Sequence, residues 1–582
     1  MQLLLKKIVL FFALSSCIFL QAQNPNDALQ DDSKTIEIIS TDKLEVSVDE
    51  KEETRRLIGN VKLKQDDAIM RCDSAYYFKN KNNIKAYRNV HITQGDSVDI
   101  KADYLFYNGN TKMATFYKNV KLTDKKSEIT ADSLLYNLNT RKAILQGDVY
   151  LTDQKQDVYA DSVEYFVRTK QAYLYDNVRM TDGEMEITSQ QMDYNAKTEE
   201  GAYSGGGKLV NKETILTSQT AVYHGKSSSM TFNDNVDLTT PDYRLKTQQL
   251  DYNIDTEKAD FNGPTTIINE GSTIQANSGT YNAKNDELSL ADRISMTSEK
   301  RNLTANDFEY NSEEGYGKAR GDVVLIDTAR NLTIRSQNAN FYEENDKVEA
   351  YDDALMINVT DNDSLYLTAD TLTTLSLPDT TTAVTTDSIK AFYAYRNVKI
   401  LKKGMQGICD SLLYSFTDSS FQMYGNPVLW TDEYQLNADT IFIHTENNEP
   451  TLIELRRNAF MANKLQDGIY NQINGKYITA YFKDDGNVDY LLVDGNAESI
   501  YYAQEEEEGR GKQEDKAFVG VNRAQSSVMR VYFTADNVDR ISFIENPTAT
   551  FFPIQEVKPR DFIIRGFKWL EGLRPKTLQD LL

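Results

Sequence analysis

The stretch Ala102-Asp103-Tyr104-Leu105-Phe106-Tyr107 is followed, 16 residues after its aspartate, by Asn119-Val120-Lys121-Leu122. Both phrases return along the chain. The first, [Ala/Cys]-Asp-x-x-x-Tyr, recurs at Asp73/Tyr77, Asp132/Tyr136, Asp161/Tyr165 and Asp410/Tyr414. The second, [Asn/Asp]-Val-x-apolar, recurs at Asn89-Val90-His91-Ile92, Asp148-Val149-Tyr150-Leu151 and Asn177-Val178-Arg179-Met180. The 16-residue interval holds from 73 to 89, 132 to 148, 161 to 177 and again from 410 to 426, while successive early aspartates stand 30, 29 and 29 apart. A fixed period near 30 residues is the mark of a repeat array in which each unit packs chiefly on its neighbours. Weaker copies at Asn235-Val236, Gly321-Asp322-Val323 and Asn397-Val398 fill the middle. At that period about eighteen units are expected.

Each unit reads as short strands. In Asn-Val-x-apolar the valine and the residue two later share one face, while Lys121, Arg179 or Lys399 takes the other, the alternation of a half-buried strand. Ile100-Lys101-Ala102 and Ile129-Thr130-Ala131 alternate in the same way. Turn-formers such as Asn108-Gly109-Asn110 and Asn137-Leu138-Asn139 suit hairpins between them. The expected fold is therefore all-β, an elongated solenoid of stacked antiparallel strands forming two facing sheets, on the order of 100 Å long at a strand spacing of about 4.8 Å. A short C-terminal helix is expected from the mixed basic and apolar residues after Phe562, serving as a cap on the array or as a docking segment.

Composition narrows the function. With 64 Lys+Arg against 88 Asp+Glu the net charge is −24, which argues against nucleic acid as a partner because nothing would neutralise a phosphate backbone. Only 3 His and 3 Cys are present, a poor supply for a metal or thiol site, and neither a metal nor any other cofactor is expected. His91, His224 and His444 are dispersed, and His91 takes the outward slot that Lys121 fills in the next copy; a nucleophilic site needs a base beside its nucleophile. No enzymatic reading survives. Residues 1–22, with Lys6 and Lys7 before an apolar run from Ile8 to Leu20, have the form of a secretory signal. A rival reading lipidates Cys17. Cys72 and Cys409, both in a Cys-Asp-Ser phrase, are expected to be buried and unpaired.

The phrases Gly59-Asn60-Val61-Lys62-Leu63 and Ala131-Asp132-Ser133-Leu134-Leu135-Tyr136 resemble the organic-solvent-tolerance (OstA-like) family, which includes a periplasmic lipopolysaccharide-transport bridge protein. The resemblance implies a V-shaped β-jellyroll around an apolar trough for acyl chains. It also implies a non-enzymatic periplasmic bridge carrying lipopolysaccharide or a related glycolipid toward the outer membrane. The implied partners are inner- and outer-membrane transport components joined by edge-strand addition. On this reading the trough is lined by Val90, Ile92, Ile100, Ala102, Val120, Leu122, Ile129, Ala131, Val149, Leu151, Val178 and Met180. The expected organisation is a signal at 1–22, a flexible segment at 23–50 and jellyroll repeats at 51–370. A Thr-rich insertion at 371–388 follows, then further repeats at 389–555 with an acidic loop near 504–516, and a terminal segment at 556–582. The alternative is an exported β-solenoid scaffold or adhesin with a filled core.

Overall fold

A computed structural model describes residues 35–49, 52–125, 127–269, 271–299, 301–328, 331–344, 346–359, 364–375, 391–416, 419–431, 433–446, 449–483, 486–504, 517–534 and 537–582. The expected signal, Cys17, most of the Thr-rich insertion and the acidic run from 505 to 516 lie outside these residues. The chain divides into two compact units, one up to Leu174 and one from Tyr175 to Leu582.

Among the described residues the fold is all-β and antiparallel, as expected. In the early repeats each unit is a pair of strands of about eleven residues that pair with one another and with their neighbours in sequence. Asn83–Gln94 is typical. Its second half pairs with the start of Ala68–Phe78 (Ile92 opposite Met70), and its first half with the end of the same strand (Ile84 opposite Tyr77). Between the halves the register slips at Arg71/Ser74. Here Arg88 and Asn89 both adopt left-handed backbone, φ 61° and 48°. Two such residues in a row form a bulge that bends the strand. Lys118-Asn119 repeats the device in the same unit, and Asp176-Asn177, Asp234-Asn235 and Arg396-Asn397 repeat it in the second.

The bend explains the 16-residue interval. Asn89 Nδ2 donates to Asp73 Oδ2 at 3.0 Å, and Asn119 Nδ2 to Asp103 Oδ2 at 2.8 Å. The two recurring phrases are therefore the two sides of one corner: an Asn in left-handed backbone and the Asp of the preceding strand that holds its side chain. Where the corner begins with glycine, as at Gly147 (φ 81°), a Cβ would stand 2.5 Å from Asp132 Oδ2, so the aspartate itself forbids a side chain there.

Hairpin ends carry their own signal. Asn108 Oδ1 accepts from the backbone N–H of Asn110 and Thr111, and Asn137 Oδ1 from Asn139 and Thr140; such Asx turns pre-form the reversal.

Three expectations need correction. Residues placed in a flexible segment include two strands, Glu37–Ser40 and Lys43–Val48, both paired with Glu53–Gln65. The strand Ser364–Leu375 runs into the start of the expected insertion. Among the described residues from Glu53 to Thr534 the strands, each bent or broken strand taken as one, make fifteen pairs, where about eighteen units are expected over the chain. Late strands are longer than the early period implies, Glu449–Gln466 having 18 residues. The expected helix is Leu578–Leu581.

A candidate apolar conduit

Because every long strand bends in its middle, each contributes to two walls. In the unit up to Leu174, the half-strands carrying the Asn-Val phrase and those paired with them bury Val90, Ile92, Ile100, Val120, Leu122, Ile129, Val149 and Leu151 to 0–1% exposure, with Ala102 at 6%. Ala131, at the corner, is half-buried. In the second unit Val178 and Met180 are equally buried. Of the twelve residues proposed from sequence, eleven are thus fully inward. Their outward neighbours behave as expected: Lys121 pairs with Glu128 across the hairpin, and His91 Nε2 lies 2.6 Å from Asp99 Oδ2.

Within the first unit these residues form only one wall. The other is built by the half-strands that end in the recurring tyrosine and by those paired with them, from Ile84, Ala86, Leu105, Phe116, Leu134 and Leu145, all at 0–3% exposure. The signal for it was present. Leu105/Tyr107 and Leu134/Tyr136 alternate as regularly as Val120/Leu122, and tyrosine alone keeps a 29-residue period through 107, 136, 165, 194, 223, 252, 281 and 310.

The tyrosines mark where the walls meet. Tyr107 Oη donates to Gln65 Oε1 at 2.5 Å, Tyr136 Oη to Gln94 Oε1 at 2.9 Å, and Tyr165 Oη to Asp124 Oδ2 at 2.5 Å. Each acceptor lies 41 or 42 residues upstream, at the end of a strand of the opposite wall or, for Asp124, one residue beyond it. The two carboxamides are used twice, Gln65 Nε2 donating to Gly109 O and Gln94 Nε2 to Leu138 O. Burial pushes the phenols of Tyr107, Tyr136 and Tyr165 upward, and for Tyr165 the carboxylate of Asp124 adds to it. Outside this polar row run ion pairs: Lys112 with Asp66 (2.7 Å), Arg141 with Asp67 (3.1 Å) and Lys170 with Asp124 (2.7 Å). Together they form a seam that closes the side of the cross-section opposite the corners. In the second unit Asn211 Nδ2 donates to Tyr252 Oη at 3.3 Å, and Tyr243 packs on Tyr281 with ring centroids 4.6 Å apart.

The arrangement is an apolar interior with two β walls, a row of bends along one side and a hydrogen-bonded seam along the other. Cys72 in the first unit and Cys409 in the second are buried and unpaired, with burial pushing both thiols up to about 12. Among the described residues no group of three or more His, Cys, Asp or Glu could hold a metal ion.

Residues 33–190 and 156–248 match the model of a family described as OstA-like protein. Among solved structures, part of the chain is similar to LptH, the LptA homologous periplasmic component of the conserved lipopolysaccharide transport device from Pseudomonas aeruginosa. That likeness has 14% identity and a TM-score of 0.17 over 18% of this chain and 78% of the other. No curated protein matches the chain.

Proposed function

We propose that this chain, whose residues 33–190 and 156–248 match the OstA-like family model, is a periplasmic, non-enzymatic carrier. It conducts the acyl chains of lipopolysaccharide or a related glycolipid toward the outer membrane. The observation that carries the reading is the two-walled interior within the matched region, apolar on both walls and renewed at every repeat. Burying an acyl chain gains about 0.8 kcal/mol per CH₂, so a lipid crossing water alone meets a large barrier that a file of equivalent apolar layers removes. Equivalence matters, because one layer much deeper than the rest would hold the cargo. The near-identical pairs Val90/Ile92, Val120/Leu122 and Val149/Leu151 provide it.

Purification from its native envelope tests the proposal. The protein is expected to carry stoichiometric acyl chains, released by organic extraction and identified by mass spectrometry. Protein that comes from a lipid-rich envelope free of acyl chains would speak instead for an exported scaffold with a filled core.

A further inference from the structure

The seam bears on how a cargo enters and on what its polar end must be. On the rim beside the tyrosines, Lys112, Arg141 and Lys170 stand 29 residues apart, each in left-handed backbone (φ 55°, 57° and 63°) immediately before the next strand. All three are largely covered, their side chains 22%, 22% and 17% exposed. They form a cationic file, one per repeat, in a chain whose net charge is −24. The partners sit on the facing rim: Asp66, Asp67 and the fully covered Asp124. Arg141 also has a donor to spare, since its Nε is buried with no hydrogen-bond partner. The file ends with the first unit. In the second unit the signs reverse, Lys212 and Arg301 standing on the opposite rim against Glu257 and Asp346.

We infer that the seam of the first unit is a lateral port, and that Lys112, Arg141 and Lys170 form a headgroup site for an anionic, phosphate-bearing amphiphile whose acyl chain lies inside. This rests on the carrier reading and adds the route and the head chemistry. Closed, the seam satisfies the carboxamides of Gln65 and Gln94 and the three phenols. Opened, it must find other partners for Gln65, Gln94 and the three tyrosines, because a polar group left buried and unpaired loses its hydration with nothing in return. The junction of an amphiphile supplies hydroxyl, ester or amide groups at that level, and its phosphate replaces Asp66, Asp67 and Asp124 as the anion facing the cations. Arginine, planar and forked, suits phosphate in particular. A lipid with a neutral head gives the cations nothing when it parts them from their aspartates, and is disfavoured for that reason.

The test uses the full chain and two probes that differ in the head alone: dodecyl phosphate and dodecyl maltoside, each with a photoreactive diazirine in the chain and kept monomeric. Adducts on the inward residues of strands 83–94 and 113–123 are counted by mass spectrometry. The phosphate probe is expected to label these residues at least about tenfold more than the maltoside, the fold-change that follows from about half a kcal/mol for each of three partly covered ion pairs. The combined change Lys112→Gln, Arg141→Gln and Lys170→Gln is expected to abolish that preference while maltoside labelling persists. If that variant does not fold, the head preference of the unchanged protein decides. For the route, Asp66→Cys and Lys112→Cys are joined by a short reducible bismaleimide, the native thiols being buried. The tethered protein is expected to label at least tenfold more slowly than the same protein after reduction. Equal labelling by the two heads, or equal rates with the tether intact and cut, overturns the port and leaves the carrier standing. An absence of labelling in every form overturns both.

Discussion

Asn119 sits in left-handed backbone (φ 52°) with its amide tied to Asp103. Alanine there loses the hydrogen bond and meets the steric penalty that L-residues incur in this region, about 1–2 kcal/mol. Glycine loses only the bond. Asn119→Ala is therefore expected to raise amide exchange in the strand Met113–Thr123 by roughly 5- to 30-fold, and Asn119→Gly by clearly less. Equal effects of the two would mean that the backbone conformation is not what the asparagine serves. The corner is also the part of the fold most legible in sequence, because a side-chain hydrogen bond between fixed partners demands particular residues at a particular separation. Asp73 and Asn89 are constrained as a pair, whereas the apolar positions beside them accept Val, Ile, Leu or Met without disturbing the alternation.

Between residue and chain stands the bent strand, and here sequence reading recovered half of what it could. Asn-Val-x-apolar revealed one wall because its corner asparagine made it stand out. The facing wall has the same alternation without a polar flag, and its layers mix Ile84, Leu105, Phe116 and Leu134, so no short phrase recurs except the tyrosine. The partners Gln65, Gln94 and Asp124, two carboxamides and a carboxylate, share no flanking phrase and were invisible as a row. All three accept a phenol hydroxyl, a property that geometry displays and identity conceals. Removing that hydroxyl by Tyr136→Phe leaves Gln94 Oε1 unpaired in a buried seam, at a cost of about 1–3 kcal/mol. The expected readout is faster exchange of the amides in Glu128–Asn137 than in more distant strands. Alkali should act in the same place. Tyr107, Tyr136 and Tyr165 have phenols raised by the fold, so the native state holds their protons more tightly than the unfolded chain. Their contribution to stability is complete below the ordinary phenol value of about 10 and falls as pH rises beyond it. Loss of β-structure is expected to set in above that value, with tyrosinate absorbance appearing in step. The triple Tyr→Phe variant should be less stable at neutral pH yet lose less between neutral and alkaline pH.

At the scale of the whole chain, the C-terminal residues in the second unit do more than end the array. They run back over the outer face of strands far apart in sequence. Gln472 grips them at both sides, Nε2 donating to Phe562 O and Oε1 accepting from Ile564 N, and Gln435 does the same for Lys568 O and Leu570 N. Arg574 Nε donates to Gln406 Oε1, and Lys399 Nζ to Asp580 O. Beneath them Phe562 and Ile564 pack with Ile500, Tyr502 and Val521. The expected helix is thus one turn at the end of a long strap. Outward slots filled by Trp430, Ile500 and Tyr502, where the early repeats have lysine or threonine, were the legible hint that this face is covered. What covers it depends on contacts 90 to 180 residues apart in sequence, beyond the reach of any periodic pattern. Deleting residues 562–582 is expected to expose this apolar face and raise binding of a hydrophobic dye severalfold, a patch large enough to promote association; unchanged dye binding would show that the strap shields nothing.

The central claim concerns what passes between the walls, and neighbouring residues that face opposite ways read it most directly. With the diazirine-bearing dodecyl phosphate and the unchanged protein, adducts are expected on Val120, Leu122 and, from the other wall, Phe116, while Lys121 between them stays unlabelled. Adducts spread evenly over Val120 and Lys121, or confined to outward residues, would contradict the account and leave the interior as a packed core alone.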